Sequence, residues 1–134
     1  MKTLFLLGVV FFGYVAHGQE TKAIALIQPP KEYDNIHVER IFGDSLSTSF
    51  MIWIKDTVAT HKHEVHSETI HVLEGKAKFY FNDNITVIKA GEVLFIPKNN
   101  WHAVKVTSKK PLKVISTQSP GFYGKDRVFR DMTR

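Results

Sequence analysis

The chain has 134 residues, a formal net charge of +5 at pH 7 and no cysteine. This length suits one domain with a single hydrophobic core. Without cysteine the chain has no disulfides, no thiolate metal ligands and no lipid attachment at a cleavage site. The lysines are scattered, with Lys109 and Lys110 the only adjacent pair, so the charge indicates a solvated surface and argues against nucleic-acid binding.

Residues 1–18 have the pattern of a cleaved signal peptide. Lys2 gives a positive start, residues 4–15 are apolar, and Ala16 and Gly18 are small residues at the two positions that a signal peptidase inspects. We therefore expect cleavage before Gln19 and an exported, periplasmic or extracellular product with no membrane attachment. A membrane anchor is the alternative, but the apolar run is shorter than the roughly 20 residues needed to span a bilayer.

Short strands are predicted from the start of the exported chain. Residues 23–27 are apolar and precede Pro29–Pro30, which indicates an edge strand. In the strand predicted over residues 47–55, Phe50, Ile52 and Ile54 share one face, and Met51 and Trp53 share the other. Apolar residues on the outer face predict either a homodimer surface or coverage by residues 23–27 of the same chain.

Residues 61–75 read HKHEVHSETIHVLEG and carry the chemistry. His61 and His63 point to the same face of a strand, and Glu68 can return to that face on the next strand, so the three side chains can share a metal ion. Residues 91–102, GEVLFIPKNNWH, end in His102, which would complete the ligand set. His66 lies in the intervening turn and is either a catalytic acid or base, or an exposed loop histidine.

The remaining chain continues as strands separated by turn residues. We predict strands at residues 35–42, 76–82, 85–89, 93–96, 102–106 and 112–118. No stretch of ten residues in the exported chain has helical periodicity, so the pattern predicts an all-β sandwich or barrel. His37 and His71 are expected to be structural, with His71 pointing away from the metal. Residues 119–134 are predicted to be a loop-like tail that packs Phe122 or Phe129 on the barrel or across a dimer, or else a frayed end.

The two histidine-containing stretches resemble the cupin superfamily. Its first motif matches at His61, His63, Glu68 and Gly75, and its second at Gly91, Pro97 and His102. Three positions depart from the pattern, namely Lys55, Asn99 and Val106, and none of them is a metal ligand. The resemblance implies a single-domain jelly-roll over residues 19–118, followed by the tail.

Three imidazoles and one carboxylate suit one divalent transition metal ion, such as Mn, Fe, Ni, Cu or Zn, without selecting among them. The predicted cavity lining is apolar and comprises Phe50, Ile52, Ile70, Phe79, Phe81 and Val104. Arg40 is the only arginine before the tail, so no arginine clamp for a dianion such as oxalate is evident. Two functions stay open: a metal-dependent enzyme on a small organic molecule, of dioxygenase or isomerase/lyase type, and a binding module that holds a metal or small ligand without turnover.

Overall fold

The computed structural model describes residues 19–130 as two five-stranded antiparallel sheets that face each other. The strands are β1 Ile36–Gly43, β2 Thr48–Ile54, β3 Thr57–His63, β4 Ser67–Glu74, β5 Lys76–Phe81, β6 Asn84–Lys89, β7 Val93–Ile96, β8 His102–Val106, β9 Leu112–Ser119 and β10 Arg127–Phe129. The first sheet has the order β1-β2-β9-β4-β7, and the second has the order β10-β3-β8-β5-β6. This arrangement confirms the predicted all-β jelly-roll.

The main core lies between the two sheets because each strand alternates apolar side chains inward. Its buried members are Ile54, Ile70, Val72, Ala77, Phe79, Ile88, Ile96, Val104, Val106, Leu112 and Val114. One end of this interior is polar, and the histidine-containing strands β3 and β8 lie next to each other there. The interior is therefore divided into a packed apolar part and a polar part that holds the candidate site.

A second apolar cluster covers the outer face of the first sheet. Met51 and Trp53 are buried there, and Ile27 and Tyr33 of the N-terminal segment, residues 19–35, pack against them. The His37 ring lies between Tyr33 and Trp53, with centroid separations of 6.0 and 5.7 Å. Coverage by the same chain is therefore what the structure shows. Because Met51 and Trp53 are covered by the same chain, they give no reason to expect a homodimer. The homodimer stays a prediction.

The edge strand predicted at residues 23–27 is wrong. The segment instead forms a short 3-10 turn at Ile24–Leu26. The segment lies over the outer face of the first sheet, where Ile27 packs against the second apolar cluster without pairing as a strand. A short apolar run in the sequence does not distinguish a paired strand from a segment that packs over a sheet.

Turns of positive φ occupy the motif positions where the family pattern has glycine. Gly75 has φ of +87°, and a Cβ there would lie 2.9 Å from the carbonyl oxygen of Pro111. Asn99 replaces a motif glycine and adopts φ of +65°. Asparagine tolerates this left-handed conformation better than most residues, so the turn is kept despite the departure.

The C-terminal segment, residues 119–130, is not simply a loop. Arg127–Phe129 forms β10, which pairs with the edge of β3. The segment is tied down earlier, where the N–H of Gly121 donates to the carbonyl of Ser45 (3.0 Å) and the Phe122 ring packs edge-on against Phe50, with centroids 5.7 Å apart. Pairing satisfies backbone groups on an otherwise open edge, and a three-residue strand after two glycines gives little local signal.

The signal peptide predicted at residues 1–18 lies outside the described residues. Within residues 19–130, no helix has the length and hydrophobicity needed to cross a bilayer.

Candidate metal centre

Three histidines meet at the polar end of the interior. His61 and His63 lie on β3, and His102 begins β8 directly opposite His61. One ring nitrogen from each lies within 4.8 Å of the others. All three residues are at most 4% exposed, so the protein forms this cluster away from bulk water.

A bulge in β3 aims the first of these histidines. Val58 pairs with Val104 and His61 pairs with His102, so β3 uses one more residue than β8 over this interval. The extra residue shifts the inward parity of the strand, and both Val58 and His61 consequently face the cavity. The strict alternation assumed from the sequence gives no sign of this bulge.

Backbone carbonyls orient two of the three rings. The Nδ1–H of His61 donates to the carbonyl of Ala59 (2.8 Å), and that of His102 donates to the carbonyl of Asn100 (3.0 Å). These bonds place the proton on Nδ1 and leave the Nε2 lone pair available to a metal. His63 lacks such a bond, and the nearest carboxylate oxygen to its Nδ1 belongs to Asp126, at 3.8 Å.

Glu68 brings a carboxylate to the same point. Its Oε2 lies 3.5 Å from Nε2 of both His63 and His102, and its Oε1 accepts a hydrogen bond from the Ser116 hydroxyl. Burial alone would raise the pKa of Glu68, but the adjacent imidazoles of His102 and His63 and the hydrogen bond from Ser116 outweigh it and hold that pKa well below its usual range. The carboxylate therefore stays ionised.

Burial acts in the opposite direction on the imidazole of His61. Loss of solvation, reinforced by the nearby His102, lowers the pKa of His61 to about 4. A neutral imidazole and an ionised carboxylate are the forms that ligate a metal. Burial of His61 and the groups around Glu68 thus favour the protonation states that metal binding requires in these two residues.

The donor set fits a divalent transition metal. Bonds of about 2.1 Å put neighbouring nitrogen and oxygen ligands about 3 Å apart at right angles, so the 3.5 Å separations around Glu68 require only a small contraction. Within residues 19–130, the buried Nε2 atoms of His63 and His102 have no hydrogen-bond partner. An unpaired buried polar group is costly, and a shared metal ion would satisfy both atoms.

His66 lies next to the histidine cluster and outside it. It is 5% exposed, which excludes the exposed loop histidine considered from the sequence. Its Nδ1 lies within hydrogen-bonding distance of the Asp126 carboxylate, and its Nε2 lies 3.2 Å from the carbonyl oxygen of Gly121. Both ring nitrogens are thus engaged by the C-terminal segment, and a catalytic role for His66 stays a prediction.

Asp126 binds the loop at residues 64–66, which connects β3 and β4. Its carboxylate accepts hydrogen bonds from the backbone N–H groups of Glu64, Val65 and His66, at 2.8 to 3.1 Å. Burial would raise the pKa of Asp126, but the bonds from the His66 ring and these N–H groups lower it. Nothing local in the sequence shows that residues 64–66 present their N–H groups to the C-terminal segment.

A cavity of about 60 Å³ opens beside the histidines. Its lining comprises Ile36, Val38, Ile52, Ile54, Val58, His61, Glu68, Ile70, His102, Val104, Val114, Ser116 and Arg127. Ile52, Ile70 and Val104 were predicted to line it. The other predicted lining residues lie elsewhere: Phe79 and Phe81 belong to the packed core, and Phe50 contacts Phe122.

Among the described residues, His37 and His71 do not join the cluster. His71 is exposed on β4, opposite in parity to Glu68 and Ile70, as predicted. Arg127, by contrast, reaches the cavity although no role there was predicted for it. The sequence around Arg127 contains no motif that would predict its position in the cavity lining.

Comparison with known proteins agrees with this geometry. The family model for the cupin domain matches residues 50–117. The matched region contains both motif stretches and all four candidate ligands, so this chain belongs to the cupin family.

Two curated relatives show how far the similarity extends. An uncharacterised protein of Aquifex aeolicus is 33% identical over 81 residues, which span 60% of this chain and 66% of the relative. Quercetin 2,3-dioxygenase of Bacillus subtilis is 28% identical over 68 residues, spanning 51% of this chain and 20% of that enzyme. The chain therefore matches less than two thirds of the length of either relative.

Solved structures share the fold at low identity. A Klebsiella pneumoniae protein with a double-stranded β-helix domain superposes with a TM-score of 0.67 at 16% identity, covering 80% of this chain and 92% of that chain. Pac13 of Streptomyces, described as a nucleoside dehydratase, gives a TM-score of 0.59 at 17% identity, covering 69% and 84%. At these identities the likeness shows the fold alone.

Proposed function

We propose that this protein is a metal-dependent cupin enzyme acting on a small organic molecule, by dioxygenase chemistry or by isomerase or lyase chemistry. The observation that carries the proposal is a buried cluster of three histidines and one glutamate that borders an apolar cavity. A scaffold that needed a metal only for stability would gain nothing from a cavity beside the metal ligands.

His61, His63, His102 and Glu68 would hold one divalent transition metal. When bound, such an ion would supply a Lewis acid with up to two coordination positions left for small molecules. Ser116 fixes the carboxylate of Glu68, and the backbone carbonyls of Ala59 and Asn100 fix two imidazoles. The chain thus prepares its ligands before the metal arrives, which lowers the entropic cost of forming the site.

The chain's contribution to chemistry is to exclude water and to orient the substrate. Side chains such as Ile52, Ile70 and Val104 surround the space next to His102 and Glu68. Apolar walls exclude water and strengthen electrostatic interactions within the site. They offer few donors for a highly hydroxylated sugar, so an apolar substrate body suits this cavity better.

The two reaction classes differ in their support. The dioxygenase class is supported by 28% sequence identity to quercetin 2,3-dioxygenase over 68 residues. The isomerase or lyase class rests only on analogy with a protein of the same fold that is described as a nucleoside dehydratase. A binding module without turnover is the alternative from a different class, since the same fold hosts enzymes and non-enzymes.

Export and dimerisation are further proposals. The positive start and apolar run of residues 1–18 support export, and N-terminal sequencing of the protein from its own compartment should begin at Gln19. Light scattering at tens of micromolar tests the homodimer, and a monomer there would remove it.

The activity test uses full-length protein loaded in turn with Fe and Mn, its metal content measured by elemental analysis. Carboxylates, diketones and uronates are supplied while O2 uptake and ultraviolet absorbance are recorded. We expect turnover of one compound class, lost in His102→Ala and kept in His71→Ala, which removes an exposed histidine of β4. Stoichiometric loading without turnover of any compound would favour the binding module.

A further inference from the structure

Arg127 is the only lysine or arginine among the side chains that line the cavity. It lies on β10, where it pairs directly with His63, while Phe129 pairs with His61. Directly paired residues in an antiparallel ladder project to the same face of a sheet. Arg127 and Phe129 therefore project toward the cavity side with the two histidines, and Val128, opposite Lys62, projects away from it.

No acidic side chain neutralises this arginine within the described chain. Across residues 19–130, Arg127 takes part in no ion pair within 4 Å and no side-chain hydrogen bond. The only carboxylate in the cavity lining is Glu68, whose oxygens already face His63, His102 and Ser116. The neighbouring carboxylate, Asp126, is taken up by the loop at residues 64–66.

Arg127 is an exposed residue of β10 that lines the same cavity as the candidate ligands His61 and His102. A guanidinium near a metal centre adds repulsion toward the cation, and this disfavours metal binding unless an anion offsets it. Apart from the candidate ligands His61, His102 and Glu68 and the hydroxyl of Ser116, the rest of the lining is apolar. It includes Ile36 and Val38 of β1. Charge and shape together describe a site for a ligand with one anionic group and a short apolar body.

We propose that Arg127 selects the substrate, which is a small apolar monocarboxylate whose carboxylate pairs with the guanidinium while its apolar part enters the cavity. This inference rests on the proposed function and names the substrate class of that same site. The sequence showed no evident arginine clamp for a dianion before the tail, and Arg127 lies in the tail, where it is proposed to bind a single carboxylate. Arginine suits the task because its planar group can bind a carboxylate through two parallel hydrogen bonds, which lysine cannot do.

The test measures binding, so it does not depend on turnover. Zinc-loaded full-length protein is titrated by calorimetry with acetate, butyrate, hexanoate and benzoate, and with the matching uncharged amides. The variants are Arg127→Gln, Arg127→Lys and the control Arg130→Gln. Arg130 belongs to the same segment, but its guanidinium lies over the Trp101 ring, 5.3 Å from the centroid, and outside this cavity.

We expect at least one carboxylate to bind at least tenfold more tightly than its amide, and this binding to weaken about tenfold or more in Arg127→Gln. Arg127→Lys should recover only part of the affinity, and Arg130→Gln should match the wild type. Equal carboxylate binding by the wild type and Arg127→Gln would overturn the inference, as would the absence of binding by every carboxylate.

Metal loading separates this inference from the proposed function. If the wild type and Arg127→Gln both take up one zinc ion but bind carboxylates equally, the inference fails and the metal centre stands. If the wild type takes up no zinc, the proposed function fails first, and the substrate assignment that rests on it is overturned with it.

Discussion

The two segments that flank the strand-rich part of the chain perform different work. Residues 19–35 lie across the outer face of the first sheet and bury Met51 and Trp53. Residues 119–130 lie at the polar end of the interior and bring Asp126 and Arg127 to the candidate metal centre. Both segments carry apolar and aromatic residues. They differ in where their polar side chains lie, because only the C-terminal segment places charged side chains beside the candidate ligands.

The substitution with the greatest predicted effect tests whether residues 19–35 stabilise the fold by covering Trp53. Trp53→Ala removes a side chain that is 5% exposed and covered by the N-terminal segment. It should lower the free energy of unfolding by about 3 to 5 kcal/mol, measured by urea titration, and leave zinc stoichiometry unchanged. Tyr123→Ala is the control, since Tyr123 is 77% exposed in the C-terminal segment and should change stability little. A Trp53→Ala protein that unfolds like the wild type would contradict this role.

Acidification should destabilise the metal-free protein through the centre itself. The pKa of His61 is lowered to about 4, so between about pH 6.5 and pH 4 the unfolded chain binds a proton that the folded chain refuses. The free energy of unfolding therefore falls over this interval, by up to about 3 kcal/mol. Glu68, whose pKa is also lowered on folding, adds a further loss below its ordinary pKa.

The same pH experiment on His61→Gln provides the comparison. Removing the titrating imidazole should flatten the decline between pH 6.5 and 4 while leaving the loss at lower pH. Two superimposable pH profiles would show that His61 does not carry the effect.

Asp126→Asn tests whether the C-terminal segment supports the candidate metal ligands. Asp126 holds the loop beside His63, and its carboxylate lies 3.8 Å from Nδ1 of His63. Among the three candidate histidine ligands, only His63 has no backbone acceptor for its Nδ1. Residues that support ligands in this way typically change metal affinity by about 10- to 100-fold, so zinc affinity measured by competition should fall by that factor. Asp34→Asn makes the same chemical change on an exposed residue of the other segment and should leave the affinity unaltered.

The smallest effect concerns the edge of the stabilising contact. Ile27 is only partly buried against Met51 and Trp53, so Ile27→Ala should lower the free energy of unfolding by about 1 kcal/mol. Thermal unfolding of the metal-free protein measures it. A change in zinc affinity without a change in stability would mean that the two segments are not separated in function as described.

The sequence was sufficient wherever the signal was local and repeated. Short apolar runs between turn residues placed β7 and β8 correctly, and alternation put Ile54 and Trp53 on opposite faces of β2. These patterns survive folding because each depends on only one strand. The spacing of polar side chains within each motif is also local, but the four candidate ligands lie on β3, β4 and β8 in two different sheets, so the family pattern was needed to group them.

What the sequence could not give depends on contacts between distant segments. The bulge before His61 is defined by its pairing with β8, and β10 exists because β3 offers an open edge. Arg127 enters the cavity only through that pairing. A three-residue strand in a polar tail has no periodicity of its own, so its role is visible only once the sheet is assembled.

We propose that four buried side chains share one divalent metal ion. Calorimetric titration of zinc into metal-free wild type, His102→Ala and His71→Ala tests this proposal. We expect one ion per chain for the wild type and for His71→Ala, with affinity at least 100-fold weaker in His102→Ala. No zinc uptake by the wild type, or equal affinity in His102→Ala, would contradict it.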